Sequence, residues 1–285
     1  MTSLLEEALL TPNQLGRNQL EEAMQEQPLL EVPLLDVQGL EKHYYTRLSM
    51  FKTQCVNALS PISFQLHKGE TLAVIGEAGA GKSTLGKLLT GAEEPSHGSI
   101  HLEGQLLDES NEKYRCSQIR LIFQDPKKSL NPNVKIGDIL SAPLTFNSDK
   151  SPKEKLNKIR ETLLKVGLLP EHIEYFPHML STGQLQRVAL ARALILDPKI
   201  LVLDEAVASL DPSVRAQIVN LLLDLQASQD LAYVLITHHL GIVKHISDSV
   251  LVLQDGKMVE YGRTREVFSY PQDVCTQKLL ASQDF

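Results

Sequence analysis

The sequence predicts an α/β fold built on a mostly parallel sheet with helices on both faces, and three observations carry that prediction. The first is the stretch from Thr71 to Gly91, TLAVIGEAGAGKSTLGKLLTG, where four apolar residues, Leu72, Ala73, Val74 and Ile75, run into a glycine-rich turn. Leu85, Leu88 and Leu89 beyond it share one helical face. The second is the alternation of short apolar runs with helical patterns after residue 181. The third is that these runs end in polar chemistry: Leu203 is followed by Asp204 and Glu205, and Ile236 by Thr237 and His238. Ligands of open α/β sheets bind at those carboxyl ends.

Each element follows from local pattern. Residues 1–33 are acidic and rich in Gln and Leu, with apolar positions Leu4, Leu5, Ala8 and Leu9, then Leu20, Ala23 and Met24, that suit two short amphipathic helices; without a surface to pack on, these make a mobile or loosely docked extension. Strands are expected at 34–37 and 56–66, with a polar, positively charged connector around Arg47 and Lys52. Tyr44 sits just after the first of them, where it either stacks on a purine or simply packs. Gly69 and Glu70 turn the chain into the glycine-loop strand. After Gly91 come a turn at 94–98, a strand at 99–102, and a buried strand at 119–123 that ends in Gln124-Asp125-Pro126. Residues 131–176 show no strand pattern, and Pro152 opens a helix there, so this part reads as a helical insertion. The alternation then resumes: a helix from 181 through 193, strand 200–203, helix 212–225, strand 232–236, helix 240–245, and paired strands 250–253 and 258–260.

Composition sets outer limits. The chain has 285 residues and a formal net charge of −7, and no run of Lys and Arg with interleaved aromatics, which argues against a nucleic-acid partner. Cys55, Cys116 and Cys275 are far apart and form no CxxC, as expected of reduced thiols. Glu6 and Glu7 stand where a secretory signal has its apolar core. No apolar run reaches the roughly 18 residues of a membrane span. Work at a membrane would need another subunit to bring the chain there.

The glycine turn, Gly76-Glu77-Ala78-Gly79-Ala80-Gly81-Lys82-Ser83, is a phosphate-binding loop: glycines let successive N–H groups point at β- and γ-phosphates, and the helix opening there adds its positive end. Lys82 brings a point charge to the phosphate oxygens and the Ser83 hydroxyl a ligand for Mg²⁺. Asp204 would hold Mg²⁺ through water, and Glu205 could orient the attacking water. His238 follows a strand and could reach the γ-phosphate; adjacent strand residues point to opposite faces, so His238 and His239 are not expected to share a metal. Gln124 offers a short amide for Mg²⁺ and water. In Leu180-Ser181-Thr182-Gly183-Gln184, Ser181 is a good helix cap and Gly183 permits close backbone approach. Two phosphate sites of different build in one chain suggest that each completes a site on another molecule.

In this order residues 76–84, Gln124, LSTGQ, LVLDE, Ser209-Leu210-Asp211 and His238 resemble the nucleotide-binding subunit of an ABC transporter, over about residues 34–280. Phe123-Gln124-Asp125-Pro126, Ser129-Leu130-Asn131-Pro132 and Phe176-Pro177-His178 are similar to the oligopeptide/dipeptide branch, and LLPEHIEYFPHML, ARALILDPK and DEAVASLD to its Sap-type members. The resemblance implies a P-loop NTPase core of the ABC type, with an N-terminal antiparallel β subdomain and an inserted helical subdomain. It implies a domain at 34–285 containing a helical subdomain at 131–185 and a helical tail at 263–285.

It also implies roles: Tyr44 stacks on adenine, the loop from Gly76 to Thr84 wraps the phosphates of ATP, and Ser83, Gln124 and Asp204 hold Mg²⁺. Glu205 is the catalytic carboxylate, His238 the γ-phosphate partner, Gln124 a sensor of the membrane subunit and Asp211 a link across a dimer. Ser181, Gly183 and Gln184 would close over ATP held by the other subunit. The implied partners are a second ATPase subunit or another copy, integral membrane permeases and, indirectly, a solute-binding protein. The place would be the cytoplasmic face of the inner cell membrane, and the work ATP-driven peptide transport. A soluble ABC ATPase acting on DNA or the ribosome, and a weakly hydrolysing regulatory partner, remain open at this point. Four residues depart from the pattern: Thr182 stands where Gly is usual, Ala206 where Pro is usual, and Asp273 and Cys275 replace the tail's usual His and Tyr.

Overall fold

Strand pairing in the computed structural model, which describes residues 32–49, 52–208 and 210–282, sorts the strands into two sheets. β1 (Leu35–Ser49), β2 (Lys52–Leu66), β4 (His97–Leu102) and β5 (Gln105–Leu106) form an antiparallel sheet in the order β2-β1-β4-β5. The larger sheet has the order β10-β9-β3-β8-β7-β6, from β3 (Thr71–Gly76), β6 (Ile119–Ile122), β7 (Ile200–Asp204), β8 (Ala232–Ile236), β9 (Ser249–Gln254) and β10 (Lys257–Arg263). Its pairs are parallel except at the β10 edge, which runs antiparallel to β9.

The apolar runs are explained by burial on both faces. Along β3, Leu72 and Val74 belong to one core and Ala73 and Ile75 to another; along β8, Ala232, Val234 and Ile236 alternate with Tyr233 and Leu235 in the same way. The first core lies between the two sheets and takes in Leu85, Leu88 and Leu89 of α1 (Lys82–Thr90). Behind α1, the almost wholly buried Arg115 of α2 (Glu112–Gln118) donates through Nη2 to the Leu88 carbonyl and through Nε to that of Leu89 at 3.3 Å. Together with the Gly91 N–H, which reaches the Leu88 carbonyl at 3.3 Å, it satisfies carbonyls at the end of the loop helix.

After α3 (Pro126–Ser129), the 131–176 stretch is helical, as expected: α4 (Ile136–Asn147) and α5 (Pro152–Lys165) are followed by single 3₁₀ turns. Pro152 takes the first position of α5, and Ser151 and Glu154 cap it reciprocally, the Ser151 N–H donating to Glu154 Oε2 at 2.8 Å. Both helices pack through Leu140, Leu144, Ile159 and Leu163 on the core shared with α6 (Thr182–Leu194) and α7 (Pro212–Gln229). α8 (Leu240–Ile246), α9 (Thr264–Ser269) and α10 (Val274–Ala281) complete the chain. In the tail, Asp273 caps α10 by accepting from the Cys275 N–H at 2.7 Å, and Glu260 accepts from the N–H groups of Gln272 and Asp273. Leu279 and Leu280 then pack against the Ala73 and Ile75 face of the sheet. The departures at 273 and 275 are thus accommodated by a carboxylate cap and a buried thiol.

The sequence reading fails most in the first hairpin. The polar connector around Arg47 and Lys52 belongs to paired strands whose register runs on to Ser49 opposite Lys52, and Tyr44 lies within β1 opposite Val56 rather than after it. Tyr45 and Val56 are largely exposed there, so the strands carry no burial alternation to betray them. The expectation for residues 1–33 falls almost wholly outside the described residues. Among the described residues no helix is long and apolar enough to cross a membrane.

Candidate active site

β3 delivers the chain to the glycine loop while buried along its whole length. At Gly76 (φ 150°) a Cβ would sit 2.1 Å from the Leu253 carbonyl oxygen, so β9 can pass this close only to glycine. Gly81 caps α1 in the left-handed region (φ 100°) with no side-chain cap, which leaves the N–H groups of the first turn to the loop itself. Glu77, Ala78 and Gly79 are exposed, and Ala80 is buried. Lys82 Nζ donates to the Gly76 and Glu77 carbonyls at 2.8 Å each, holding its charge over the loop. Burial pulls its pKa below the ordinary lysine value, while Glu205 and Asp204 push it up.

The ends of β7 and β8 meet this loop. Ser83 Oγ donates to Asp204 Oδ1 at 3.1 Å. Burial raises the Asp204 carboxyl, and Glu205 adds to that rise, whereas Ser83, Lys82 and Lys87 oppose it. Glu205 turns off the strand in the left-handed region (φ 52°), an uncommon place for a non-glycine residue, with its N–H still bonded to the Ile236 carbonyl at 2.9 Å. Its Oε1 accepts from His238 Nδ1 at 2.8 Å. Its Oε2 is buried with no partner, a state that buried polar atoms seldom keep. The glycine cradle, the hydroxyl–carboxylate pair and this orphaned oxygen fit a bound triphosphate with its cation and an attacking water.

His238 and His239 do not point apart as strand geometry suggested: their ring centroids are 4.3 Å apart at 34°. β8 ends at Ile236, so both histidines lie in a turn where the two-residue period no longer applies. Among the described residues no group of three His, Cys, Asp or Glu is arranged to hold a metal ion.

Tyr44 is brought to α1. Its hydroxyl donates to Glu93 Oε2, the Thr84 hydroxyl interacts with the same phenol, and Lys42 Nζ lies 5.2 Å from its ring centre. Glu93 also accepts from Lys87 at 2.9 Å. Burial first, then Glu93, raises the Tyr44 pKa. The sequence reading missed Glu93, Lys87 and Lys42; the one signal was opposite charges on either side of Gly91, where a helix end brings them together. Gln124, exposed beyond β6, lines a groove of about 490 Å³ with Phe123, Arg192 and Asp204.

The LSTGQ segment stands apart in its bonding. Ser181 Oγ accepts from the Gln184 N–H at 3.3 Å and the Ser181 N–H donates to Gln184 Oε1 at 2.9 Å, a closed capping box. Thr182 is the first residue of α6 and is exposed, so the departure leaves the cap intact. A Cβ on Gly183 would lie 3.0 Å from Val214 Cγ1, which gives this glycine a packing role as well. Asp211 caps α7, accepting from the Val214 N–H at 3.1 Å. Ser209 lies outside the described residues.

Comparisons with known proteins agree with this geometry. A family model described as ABC transporter matches residues 59–208. The chain is 48% identical over 244 residues to the putrescine export system ATP-binding protein SapF of Escherichia coli K12, covering 86% of this chain and 91% of that protein. It is equally identical, with the same coverage, to the peptide transport system ATP-binding protein SapF of Salmonella typhimurium LT2. Among solved structures, cbiO1 from Clostridium perfringens, part of the ABC transporter complex cbiONQ, matches with a TM-score of 0.72 and 30% identity over 84% of this chain and 92% of that one. The dimeric ATP-binding cassette MJ0796 bound to ADP and phosphate matches with a TM-score of 0.70 and 25% identity over 81% and 99%. A glycine loop, a paired serine and aspartate, a carboxylate under a histidine, and relatives of this similarity lead to one conclusion: the chain belongs to the ABC transporter family, as an ATP-binding, ATP-hydrolysing subunit.

Proposed function

We propose that this chain hydrolyses ATP at a site it shares with a second ATPase subunit and that closure of the pair drives solute through separate membrane permeases. The observation that carries the reading is the adjacency of Ser83–Asp204 (3.1 Å) and Glu205–His238 (2.8 Å) at neighbouring strand ends beside the glycine loop. In this reading the N–H groups of residues 76–84 and Lys82 bind the β- and γ-phosphates, and the Tyr44 ring stacks on adenine. Ser83, Asp204 and Gln124 would hold Mg²⁺, which supplies charge neutralisation at the phosphate oxygens. Glu205 polarises a water for in-line attack on the γ-phosphorus; the bond to the bridging oxygen breaks, and ADP and phosphate leave. His238 orients Glu205 and the γ-phosphate. Ser181, Gly183 and Gln184 of each subunit face the ATP held by the other, with Asp211 at the seam.

The domain would span residues 34–285, with the 131–185 helical part and the 263–285 tail as its appendages. The chain would sit on the cytoplasmic face of the inner membrane, held by permeases. Support comes from exposed Phe123, in the groove beside Gln124, and exposed Phe146, in a second groove that shares Ser129 and Arg192 with it, a surface suited to an apolar segment of another chain. The net charge of −7 supports no nucleic-acid partner. Peptide is the solute favoured by the name of the Salmonella relative. A second reading, polyamine export, is favoured by the name of the K12 relative.

Two assays test this. Glu205→Gln should keep ATP binding and lose hydrolysis by at least about 100-fold, as removal of a general base does; unchanged turnover removes Glu205 from the mechanism. Vesicles holding the chain with its permeases should accumulate or release labelled peptide on addition of ATP. Movement of putrescine alone selects the second reading.

A further inference from the structure

We infer that His239 is a positioning residue: it holds the His238 imidazole against Glu205 and fastens that turn to the loop of residues 206–211. The inference rests on the proposed roles of Glu205 and His238. His238 has 54% of its side chain exposed, so its bond to Glu205 competes with water unless something fixes the ring. The ring of His239, 4.3 Å away and tilted by 34°, packs against it. His239 is itself held at two points. Its backbone N–H donates to Thr237 Oγ1 at 3.1 Å, and its Nε2 donates to the Ala208 carbonyl at 3.2 Å.

A carbonyl only accepts, so Nε2 carries the proton, and in the neutral ring Nδ1 does not. Burial first, then His238, and to a lesser degree Arg215 lower the proton affinity of His239, while the Ala208 carbonyl and Glu205 raise it, and the net shift is downward. That direction favours the neutral ring. Ala208 is the meeting point, because Arg215 Nη2 donates to the same carbonyl at 3.2 Å and to that of Leu210 at 2.8 Å. Between Glu205 and Asp211 the loop is thus pinned by one residue from α7 and one from the histidine turn. Through His239, a shift of that loop is felt at the ring that touches Glu205.

The test is a double-mutant cycle of ATP hydrolysis by the assembled transporter, with kcat and KM for MgATP read separately. His239→Ala should lower kcat about tenfold, the cost of misplacing a catalytic group, and leave KM within about twofold. His239→Gln keeps an N–H for Ala208 without a ring, and His239→Phe keeps a ring without the donor; each should recover part of the loss. Added to His238→Ala, His239→Ala should cost nothing further. Additive losses, a rise in KM in place of the fall in kcat, or full activity of His239→Ala while His238→Ala is inactive would overturn the inference and leave the site reading standing. Full activity of His238→Ala would bring down both.

Discussion

Two helices of this chain start beside glycines, and they start differently. α1 begins at Gly81 with no side chain over its first N–H groups, while α6 begins under a closed Ser181–Gln184 capping box. Around the uncapped start the fold gathers Lys82 and Ser83 of α1 itself with Asp204, Glu205 and His238 from the ends of β7 and β8; around the capped start it places packing, with Val214 against Gly183. A helix end that satisfies itself is stable without a ligand, yet the Ser181 hydroxyl, used there as an acceptor, still has its O–H to donate. In the proposed reading the uncapped end holds a ligand within the chain, and the capped end meets a ligand carried by a second subunit.

That contrast can be broken from either side. The largest effect belongs to the uncapped end. Lys82→Ala removes a charged donor from the loop and should weaken ATP binding about 10- to 100-fold, from the roughly 1.5–3 kcal/mol of a charge-assisted hydrogen bond. Equilibrium titration with a fluorescent ATP analogue measures it. Next come the glycines. Gly81→Ala places a Cβ 2.7 Å from the Ala58 backbone oxygen at φ 100°, strain worth about 1–3 kcal/mol, and should cost both stability and nucleotide binding. Gly183→Ala meets only the Val214 side chain, which can shift, so thermal unfolding should move less and ATP binding by the isolated chain should not change. Equal losses would erase the distinction drawn between the two ends.

Ser181→Ala should cost about 1 kcal/mol of stability through the lost cap. It should also slow hydrolysis in the assembled pair while leaving binding by the separate chain intact. The smallest effect is one of pH. Because His239 has its proton affinity held below the ordinary value of 6.5, the unfolded chain takes up a proton that the folded chain resists. Its contribution to stability is complete above about pH 6.5 and is lost as the pH falls through the lower folded value. The thermal midpoint should drop on acidification in that window, and His239→Gln should flatten the drop.

What the sequence made legible follows burial and capping. The strand expected at 232–236 is found as Ala232–Ile236, since all five residues are buried and such a run has one reading. The starts of α5, α6 and α7 fall where Pro152, the Ser181 cap and the helical pattern from residue 212 put them, and the structure adds caps from Ser151 and Asp211. α7 outran its expected end at 225 by one turn, to Gln229, where Asp230 takes the left-handed conformation. The far half of the first hairpin was hidden, as exposed strands write no alternation. In the candidate site, the meeting of Ser83 with Asp204 follows from strand order and was foreseeable. The contact between the histidines was not, since it depends on where β8 stops. Nor was the Glu93 tether on Tyr44, which joins residues 49 positions apart.

In the proposed pair, the capped helix of one subunit faces the phosphates held at the uncapped helix of another. A structure of the assembled Glu205→Gln transporter with MgATP decides this. Two ATP molecules should lie between paired subunits. A γ-phosphate bound by this chain's Lys82 should face the LSTGQ-type segment of the second ATPase subunit. This chain's Ser181 should lie within hydrogen-bonding distance of the γ-phosphate on that subunit. ATP bound by single, unpaired subunits, or paired subunits with Ser181 remote from every triphosphate, would contradict it.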